Sequence, residues 1–396
     1  MKKYQMKWLA SIVITSLMMS CAQEEEYIDI STNQQASIEN INVARIAAVF
    51  GNNIDLNDLD NYENQNIPNY INDDNTEGNN ITDEQATLGR VLFYDENLSV
   101  DNTISCASCH QQAFAFGDPD VASTGVNGLT ARHSMRLVNA RFSDEENFFW
   151  DERANSLETQ TTMPIEDHVE MGFSGENGNP DINDLIEKLE AIDYYQELFL
   201  FTYGDTNITV NRIQESLAQF IRSIQSFDSR YDAGRSQVQN DNQDFPNFTV
   251  QENLGKELFM NNENQNGANC AACHDAPEFA IDPGSDNNGI IGVIGNPNAT
   301  DFTVTRSPTL RDMANAQGRL NGPFMHDGSL STIRDVIEHY DDINGNGNPN
   351  LDNELRGAGG NLNLSNAEME ALEAFILTLS GSDVYTNPKW SNPFLN

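Results

Sequence analysis

The chain has 396 residues, 38% of them hydrophobic, and its 61 acidic side chains against 21 Lys and Arg give a formal charge of −40. A surface of this sign repels nucleic acid, which excludes nucleic-acid binding, and it favours a basic protein as partner unless the charge serves solubility alone. The length indicates about two domains, because one domain commonly takes about 100–200 residues.

The first 20 residues have the composition of an export signal. Three lysines precede the apolar stretch WLASIVITSLMM at 8–19, which is too short for a permanent membrane span. The stretch LMMSC resembles a bacterial lipoprotein signal, which implies removal of residues 1–20 and a lipid anchor on Cys21. Cys21 is also the odd one of five cysteines. We therefore predict an exported protein, lipid-anchored to the membrane of the cell envelope on its periplasmic or outer-membrane surface. An ordinary signal peptide is the alternative.

Composition and repetition divide the rest of the chain. Residues 21–80 are acidic and Asn-rich, and we interpret them as a tether with one helix, at 43–50, that leads into the folded part. From residue 81 the chain repeats itself, since LGRVLFYDENLS at 88–99 and LGKELFMNNENQ at 254–265 each precede a pair of cysteines. Such duplication predicts two related modules. The predicted modules are 81–240 and 241–396.

Helical periodicity dominates both modules. Residues 209–226 place their apolar side chains on one face. The segment 332–340 begins with a capping residue and puts Tyr340 on its apolar stripe. A further segment begins with a capping box at Ser365 and stops by Gly381. Because no run of alternating strands is present, the predicted fold class is mostly α.

Each module contains the pattern Cys-x-x-Cys-His, in ISCASCH at 104–110 and in NCAACH at 269–274. A zinc site is disfavoured because the chain is exported and a His follows each pair directly. A thioredoxin-like redox couple is disfavoured because a loop, rather than the strand of a βαβ unit, precedes each motif. Covalent haem fits both, since two thiols can bind the porphyrin and the His the iron. The predicted sets are Cys106, Cys109 and His110 for one haem c, and Cys270, Cys273 and His274 for the other.

The surrounding sequence resembles the bacterial di-haem cytochrome c peroxidase and MauG family. Besides the repeats and both cysteine motifs, the matching stretches include FWDERANSLETQTTMPIEDHVEMGF at 149–173, SPTLRD at 307–312 and GPFMHDGSLSTIRDVIEHY at 322–340. They cover most of the mature chain in the family's order. The resemblance implies two cytochrome c-like haem domains packed together, with the two covalently bound haems near their interface.

The resemblance also implies roles for three residues around the N-terminal haem, where this family reacts with peroxide. Glu170 would shuttle a proton between the two peroxide oxygens, Gln160 would line the same pocket, and Trp150 would relay electrons between the haems. The residues by themselves leave simpler alternatives open. Glu170 and Gln160 would then be solvated side chains on loops, and Trp150 would be part of a core.

Two positions depart from the pattern of other cytochrome c peroxidases. Val126 stands where they carry a His that caps the first iron, so we predict a site that is open without prior reduction, with His133 as a fallback ligand. Tyr340 stands where peroxidases carry a Met and MauG a Tyr, which implies that Tyr340 ligates the second iron. Met325 is the rival ligand, and a plain core position is the alternative for both.

A calcium ion is a further property of the family. The resemblance implies that the backbone carbonyls of Asn321 and Pro323 contribute to its site, but His133 stands where the Asn side-chain ligand is expected, so calcium is left open. The loop DDINGNGNPNLDNE at 341–354 approximates a calcium-binding loop but has Asn353 where the bidentate Glu belongs. We interpret it as a turn-rich loop.

The sequence therefore predicts an oxidoreductase. The expected enzyme is a di-haem peroxidase that reduces hydrogen peroxide at the N-terminal haem, with electrons relayed through the C-terminal haem from a small donor protein. One alternative is a MauG-like oxidation of a protein partner, favoured by Val126 and Tyr340. The other is a di-haem electron carrier without catalysis. The sequence identifies neither the donor nor a protein substrate, and it leaves open whether the protein forms a homodimer.

Overall fold

The computed structural model describes residues 41–395 apart from 145–146, 282, 307, 346 and 357–359. This part of the chain is helix-rich with few strands, in agreement with the mostly α prediction. The α-helices are α1 (Val43–Phe50), α2 (Asp83–Tyr94), α3 (Cys106–Cys109), α4 (Leu157–Glu166), α5 (Ile182–Glu190), α6 (Asp193–Tyr203), α7 (Val210–Ser223), α8 (Arg230–Arg235), α9 (Val250–Met260), α10 (Ile333–Asp341) and α11 (Asn366–Leu377). The strands form two antiparallel pairs, β1 (Thr124–Gly125) with β2 (Gly128–Leu129) and β3 (His274–Asp275) with β4 (Ala280–Ile281).

Helices α2 and α7 form the frame of the first module. Each begins at a threonine whose side chain accepts a backbone N–H of the first turn, at 3.2 Å in both helices. The two backbones touch at Gly89, where an added Cβ would lie 1.9 Å from the carbonyl oxygen of Ser216. A glycine is needed at this position because no side chain fits between the helices.

Helices α9 and α11 repeat this arrangement in the second module. Both begin with a capping box, Thr249 with Glu252 and Ser365 with Glu368, so the predicted box at Ser365 is confirmed. An added Cβ on Gly255 would lie 1.9 Å from the carbonyl oxygen of Ala371. The glycines of LGRVLF and LGKELF therefore have the same function, which explains the internal repeat.

Most buried apolar side chains in the described part of the chain belong to one of two clusters. One comprises residues between Ile41 and Ile224 together with Val384 and Trp390, and the other comprises residues between Tyr231 and Leu379. Two boundaries differ from the prediction. The second cluster begins at Tyr231, ahead of residue 241, because α8 packs against it. The C-terminal segment returns to the first cluster.

This C-terminal return is fixed by contacts with residues far away in sequence. Trp390 is 1% exposed, and its indole N–H donates to Ser223 Oγ at 3.3 Å. The hydroxyl of Tyr62 donates to the carbonyl of Lys389 at 2.6 Å. Such a contact cannot be read from local sequence pattern.

Residues 41–80 are packed structure. Helix α1 lies at the predicted position, and both Phe50 and Tyr62 are fully buried in the first cluster. The tether prediction was therefore wrong for this segment, whose scattered apolar side chains cover the first module. Residues 1–40, which include the predicted signal and Cys21, lie outside the described residues. Among the residues that are described, none of the helices is long and apolar enough to span a membrane.

Candidate functional site

The first site is formed by Cys106, Cys109 and His110. The two cysteines begin and end the single helical turn α3, and the His110 N–H donates to the carbonyl of Cys106 at 2.9 Å. The backbone then reverses through Ala115 and Phe116, both with positive φ, which brings the Phe116 carbonyl within 3.2 Å of His110 Nδ1. All three side chains of the site line one cavity of about 550 Å³.

The titration behaviour of this site argues against a thiol redox couple. Burial raises the pKa of Cys106 to about 12 and that of Cys109 to about 11, whereas a reactive thiol needs a lowered pKa. Burial also lowers the pKa of His110, which keeps the imidazole neutral and able to bind a metal. Within the described residues, the four cysteines are free thiols and no group of three or more His, Cys, Asp or Glu could hold a metal ion.

Glu170, Gln160 and Trp150 line the same cavity as the first site. The structure thus brings together the residues that the sequence predicted to act together. Burial raises the pKa of Glu170 to about 7, the nearby Asp167 charge adds to this, and Arg153 opposes it. The loop that carries Glu170 is held by Asp167 Oδ1, which accepts the N–H of Val169 at 2.7 Å and of Glu170 at 3.0 Å.

The hairpin of β1 and β2 packs directly on the Glu170 loop. The N–H groups of Val126 and Asn127 donate to the carbonyls of Glu170 and Val169 at 3.0 and 3.1 Å. The side-chain amide of Asn127 donates to the carbonyl of His168 at 2.7 Å. The side chain of Val126 faces Gly172, where an added Cβ would lie 3.1 Å from Val126 Cγ2, and it is absent from the described cavity lining.

Histidines 168 and 133 have different surroundings. His168 is exposed, and its Nδ1 lies 3.2 Å from the Asn179 side-chain amide. His133 is 6% exposed and lines the first cavity, and its Nδ1 lies 2.9 Å from the carbonyl of Asp120. This contact with a backbone carbonyl fixes the orientation of the imidazole ring of His133, the fallback ligand.

Trp150 lies between the two modules. Its loop is closed by backbone hydrogen bonds between Phe148 and Ala154, and two residues beside it have positive φ, Phe149 at 72° and Glu152 at 54°. The indole N–H donates to the carbonyl of His133 at 2.7 Å, and the Trp150 carbonyl accepts N–H groups of the second module at 3.0 Å. Trp150 lines both this cavity and that of the second site.

A chain of charges crosses between the modules beside Trp150. Arg132 pairs with Asp151 and with Asp301, both at 2.6 Å, and Asp151 also pairs with Arg153 at 2.8 Å. All four side chains line the first cavity. Sequence reasoning missed Arg132 and Asp301, because no local pattern pairs residues so far apart in the chain.

The second site is formed by Cys270, Cys273 and His274. Its cysteines follow α9 as those of the first site follow α2, and His274 begins β3. Burial raises the pKa of Cys270 to about 12 and lowers that of His274 to about 4. His274 Nδ1 is buried and has no hydrogen-bond partner within the described residues. The cavity here measures about 140 Å³.

Both candidate axial ligands reach this second cavity. Helix α10 begins with a Thr332 and Asp335 capping box, as the sequence predicted, and it places Tyr340 in the cavity lining, where burial raises the pKa of its hydroxyl. Met325 lines the same cavity with a backbone φ of 70°. The side-chain amide of Asn288 lies 3.3 Å from Tyr340 Oη and 3.4 Å from Met325 Sδ. Sequence reasoning missed Asn288, because it lies in a loop and no local pattern connects it to Tyr340.

The two residues considered for calcium have different settings. Asn321 is 1% exposed, its amide donates to the carbonyl of Asp312 and to Tyr385 Oη at 2.8 Å each, and its Oδ1 has no partner in the described structure. Pro323 lines the second cavity. Calcium therefore stays a prediction.

Comparison with known proteins connects these features. A family model described as di-haem cytochrome c peroxidase matches residues 83–240. The methylamine utilization protein MauG of Methylophilus methylotrophus is 31% identical over 76% of this chain and 84% of its own length. Cytochrome c551 peroxidase of Nitrosomonas europaea is 28% identical over 75% of this chain and 80% of its own. The crystal structure of a MauG-like protein associated with microbial copper homeostasis matches with a TM-score of 0.65 and 26% identity, covering 83% of this chain and 99% of that one.

The two relatives and the solved structure each cover three quarters or more of this chain, and the family model covers the first cysteine motif. The family implies haem cofactors, and its members named as cytochrome c peroxidases are enzymes that use peroxide. The chain therefore belongs to the di-haem cytochrome c peroxidase and MauG family, and it is an oxidoreductase of the peroxidase type.

Proposed function

We propose that this protein is an exported, lipid-anchored di-haem peroxidase that reduces hydrogen peroxide at the first site with electrons delivered through the second. The observation that carries this proposal is the cavity of about 550 Å³ in which Cys106, Cys109 and His110 lie together with Glu170, whose pKa is about 7. A titratable carboxyl group in a cavity beside a metal-binding motif is the arrangement that proton transfer to a bound substrate requires.

The side chains at both sites suit covalent haem. The cysteines are free thiols, and burial keeps both histidines neutral, the form in which an imidazole binds iron. When bound, the haem of the first site would supply the iron at which the oxygen–oxygen bond of peroxide breaks. We assign Cys106, Cys109 and His110 to one haem c, Cys270, Cys273 and His274 to the other, and Tyr340 as the second axial ligand of the latter, with Met325 as the fallback.

Glu170 moves a proton in this reaction. Hydrogen peroxide takes up two electrons and two protons and gives two water molecules. The carboxylate of Glu170 accepts the proton of one peroxide oxygen and returns it to the other, which leaves as water. A pKa of about 7 keeps both forms of the carboxyl group populated at neutral pH. Gln160 lines the same cavity, where its amide orients the peroxide.

Trp150 connects the two sites. It lines both cavities, and hydrogen bonds at its indole nitrogen and its carbonyl hold it from both modules. An oxidisable aromatic ring between two redox centres shortens the distance that an electron must cross. Electrons from a donor protein enter at the second site and pass through Trp150 to the first.

A MauG-like activity, in which peroxide drives the oxidation of a protein partner, is the second candidate. Two observations favour it. Val126 stands in place of a capping His and faces Gly172, and Tyr340 lines the second cavity, where a phenolate would stabilise ferric iron more than a thioether does. The formal charge of −40 favours a basic partner.

Peroxide titration of the purified protein, followed by visible spectroscopy, tests these functions. A prompt spectral change at both haems of the fully oxidised protein supports the MauG-like activity. A change that requires prior reduction of the second haem supports the peroxidase. No change in either state contradicts both and leaves the electron carrier. A pyridine haemochrome assay must first find two covalent haems per chain.

The anchor has its own test. Cells that express the protein are grown with a labelled fatty acid, and the label should enter the native protein but not the Cys21→Ser variant. Label in both variants, or in neither, contradicts a lipid anchor on Cys21.

A further inference from the structure

The side-chain amide of Asn288 contacts both residues that compete for the second haem. Its Nδ2 lies 3.3 Å from Tyr340 Oη and 3.4 Å from Met325 Sδ. An amide nitrogen carries two hydrogens, so it can donate one to each acceptor. The same group therefore touches both candidate axial atoms.

Asn288 is itself held from two directions. Its Oδ1 accepts the N–H of Ile290 at 3.1 Å, which orients the amide nitrogen towards the cavity. Its backbone carbonyl lies 2.9 Å from Nε2 of His339, the neighbour of Tyr340 on α10. The loop and the helix that carries Tyr340 are thus joined beside the ligand.

The preceding residue makes this loop rigid. Asn287 is fully buried, and its amide donates to the carbonyl of Val304 at 2.9 Å. Its Oδ1 accepts the N–H of Gly289 and the amide of Asn348, both at 2.8 Å. A buried polar group with this many partners holds one conformation, so Asn288 is presented at a fixed position.

The hydrogen bond from the amide is of different strength to the two acceptors, Tyr340 Oη and Met325 Sδ. A hydrogen bond to an ionised oxygen is about twice as strong as one between neutral groups, so an N–H donor favours the phenolate of Tyr340, the form that binds iron. A thioether is a weak acceptor on a flexible side chain, which the same amide restrains at one place. The amide therefore favours the Tyr340 oxygen as a ligand and restrains the Met325 sulfur.

We propose that Asn288 is a positioning residue that selects Tyr340 over Met325 as the axial donor of the second haem. This inference rests on the proposed function, in which His274 and Tyr340 ligate that haem. Without the amide, Met325 would be the residue that holds the iron, and Tyr340 would stay a neutral phenol.

The test measures the midpoint potential of the second haem by spectroscopic redox titration of the holoprotein. Asn288→Leu should shift this potential to more positive values, because a Met ligand raises the potential of haem c relative to a phenolate. Asn288→Ala, which removes the amide without adding bulk, should do the same. The double variant Asn288→Leu/Met325→Leu should lose the positive shift, and the exposed control Asn298→Ala should leave the potential unchanged.

Each result decides one point. Unchanged potentials in both Asn288→Leu and Asn288→Ala overturn the role of Asn288. A positive shift that persists in the double variant overturns the competition by Met325. Tyr340→Phe separates this inference from the proposed function. If that variant leaves the potential and the visible spectrum as they are in the native protein, Tyr340 is no ligand, and the assignment fails at that earlier step.

Discussion

The first and second sites lie on the same arrangement of two helices, but different side chains line their cavities. In both modules two helices meet at a glycine whose added Cβ would lie 1.9 Å from a backbone carbonyl, and two half-buried cysteines and a half-buried His follow. The first site has a cavity of about 550 Å³ that contains Glu170, whereas the second has one of about 140 Å³ lined by Tyr340 and Met325. The duplicated elements place a Cys-x-x-Cys-His motif in each module, and the loops and helices between them make the two cavities different.

The two histidines sharpen this difference. His110 Nδ1 lies 3.2 Å from the carbonyl of Phe116, while His274 Nδ1 has no partner within the described part of the chain. A hydrogen bond to the outer ring nitrogen fixes the orientation of a metal-binding His and raises its basicity. The two histidines therefore differ in their surroundings although their motifs are alike.

The largest expected effect is on the chemistry of the first site. Glu170→Gln should slow the reaction with peroxide by about 100- to 10,000-fold, the usual contribution of a positioned acid–base group. Stopped-flow spectroscopy at the first haem measures the rate. Glu166→Gln, an exposed carboxyl group at the end of α4, is the matched control and should react at the native rate. Equal rates in the two variants would remove Glu170 from the mechanism.

The pH dependence of the same rate should follow the carboxyl group. Burial raises the pKa of Glu170 to about 7, so below pH 7 the group is protonated and cannot accept the peroxide proton. The native rate should fall by about tenfold for each pH unit well below 7 and level off above it. In Glu170→Gln this dependence should be absent. A native profile that is flat through pH 7 would contradict the assignment.

Because each module contains a helix pair that meets at a glycine, substitution of either glycine should destabilise the protein to the same extent. Gly89→Ala and Gly255→Ala each force the paired backbones apart, and each should lower the free energy of unfolding by about 1–3 kcal/mol. Denaturant unfolding of the holoprotein measures this, with Glu257→Ala, exposed on α9, as a control that should change stability by less than about 0.5 kcal/mol. A loss in one glycine variant alone would show that the modules are not equivalent.

The smallest effect is expected at the hairpin of the first site. Asn127→Ala removes one hydrogen bond to the Glu170 loop, worth about 1 kcal/mol, and should slow the peroxide reaction by no more than about tenfold. The exposed Thr124→Ala on β1 is the control. If Asn127→Ala reacts as slowly as Glu170→Gln, the hairpin has a larger role than positioning the loop.

Local sequence determined a large part of this protein. The capping residues of α10 and α11 and the apolar face of α7 lie where their patterns predicted, because caps and periodicity act within one or two turns. The cysteine motifs and the repeated glycines identified both sites for the same reason. The residues gathered around the first cavity followed from the family resemblance, since periodicity alone does not bring Gln160 and Glu170 to the motif.

Only the tertiary structure decided the rest. It brings Asn288 to Tyr340 across 52 residues of sequence, pairs Arg132 with Asp301 across 169, and returns Trp390 to Ser223 in the first core. It also packs residues 41–80, which their composition suggested to be a tether, against that core. These contacts depend on how whole helices and loops pack together. The sequence near one residue of such a pair therefore does not predict the other residue. The two cysteine motifs are therefore recognisable from short stretches of sequence, whereas the surroundings of Tyr340 and Met325 depend on long-range packing.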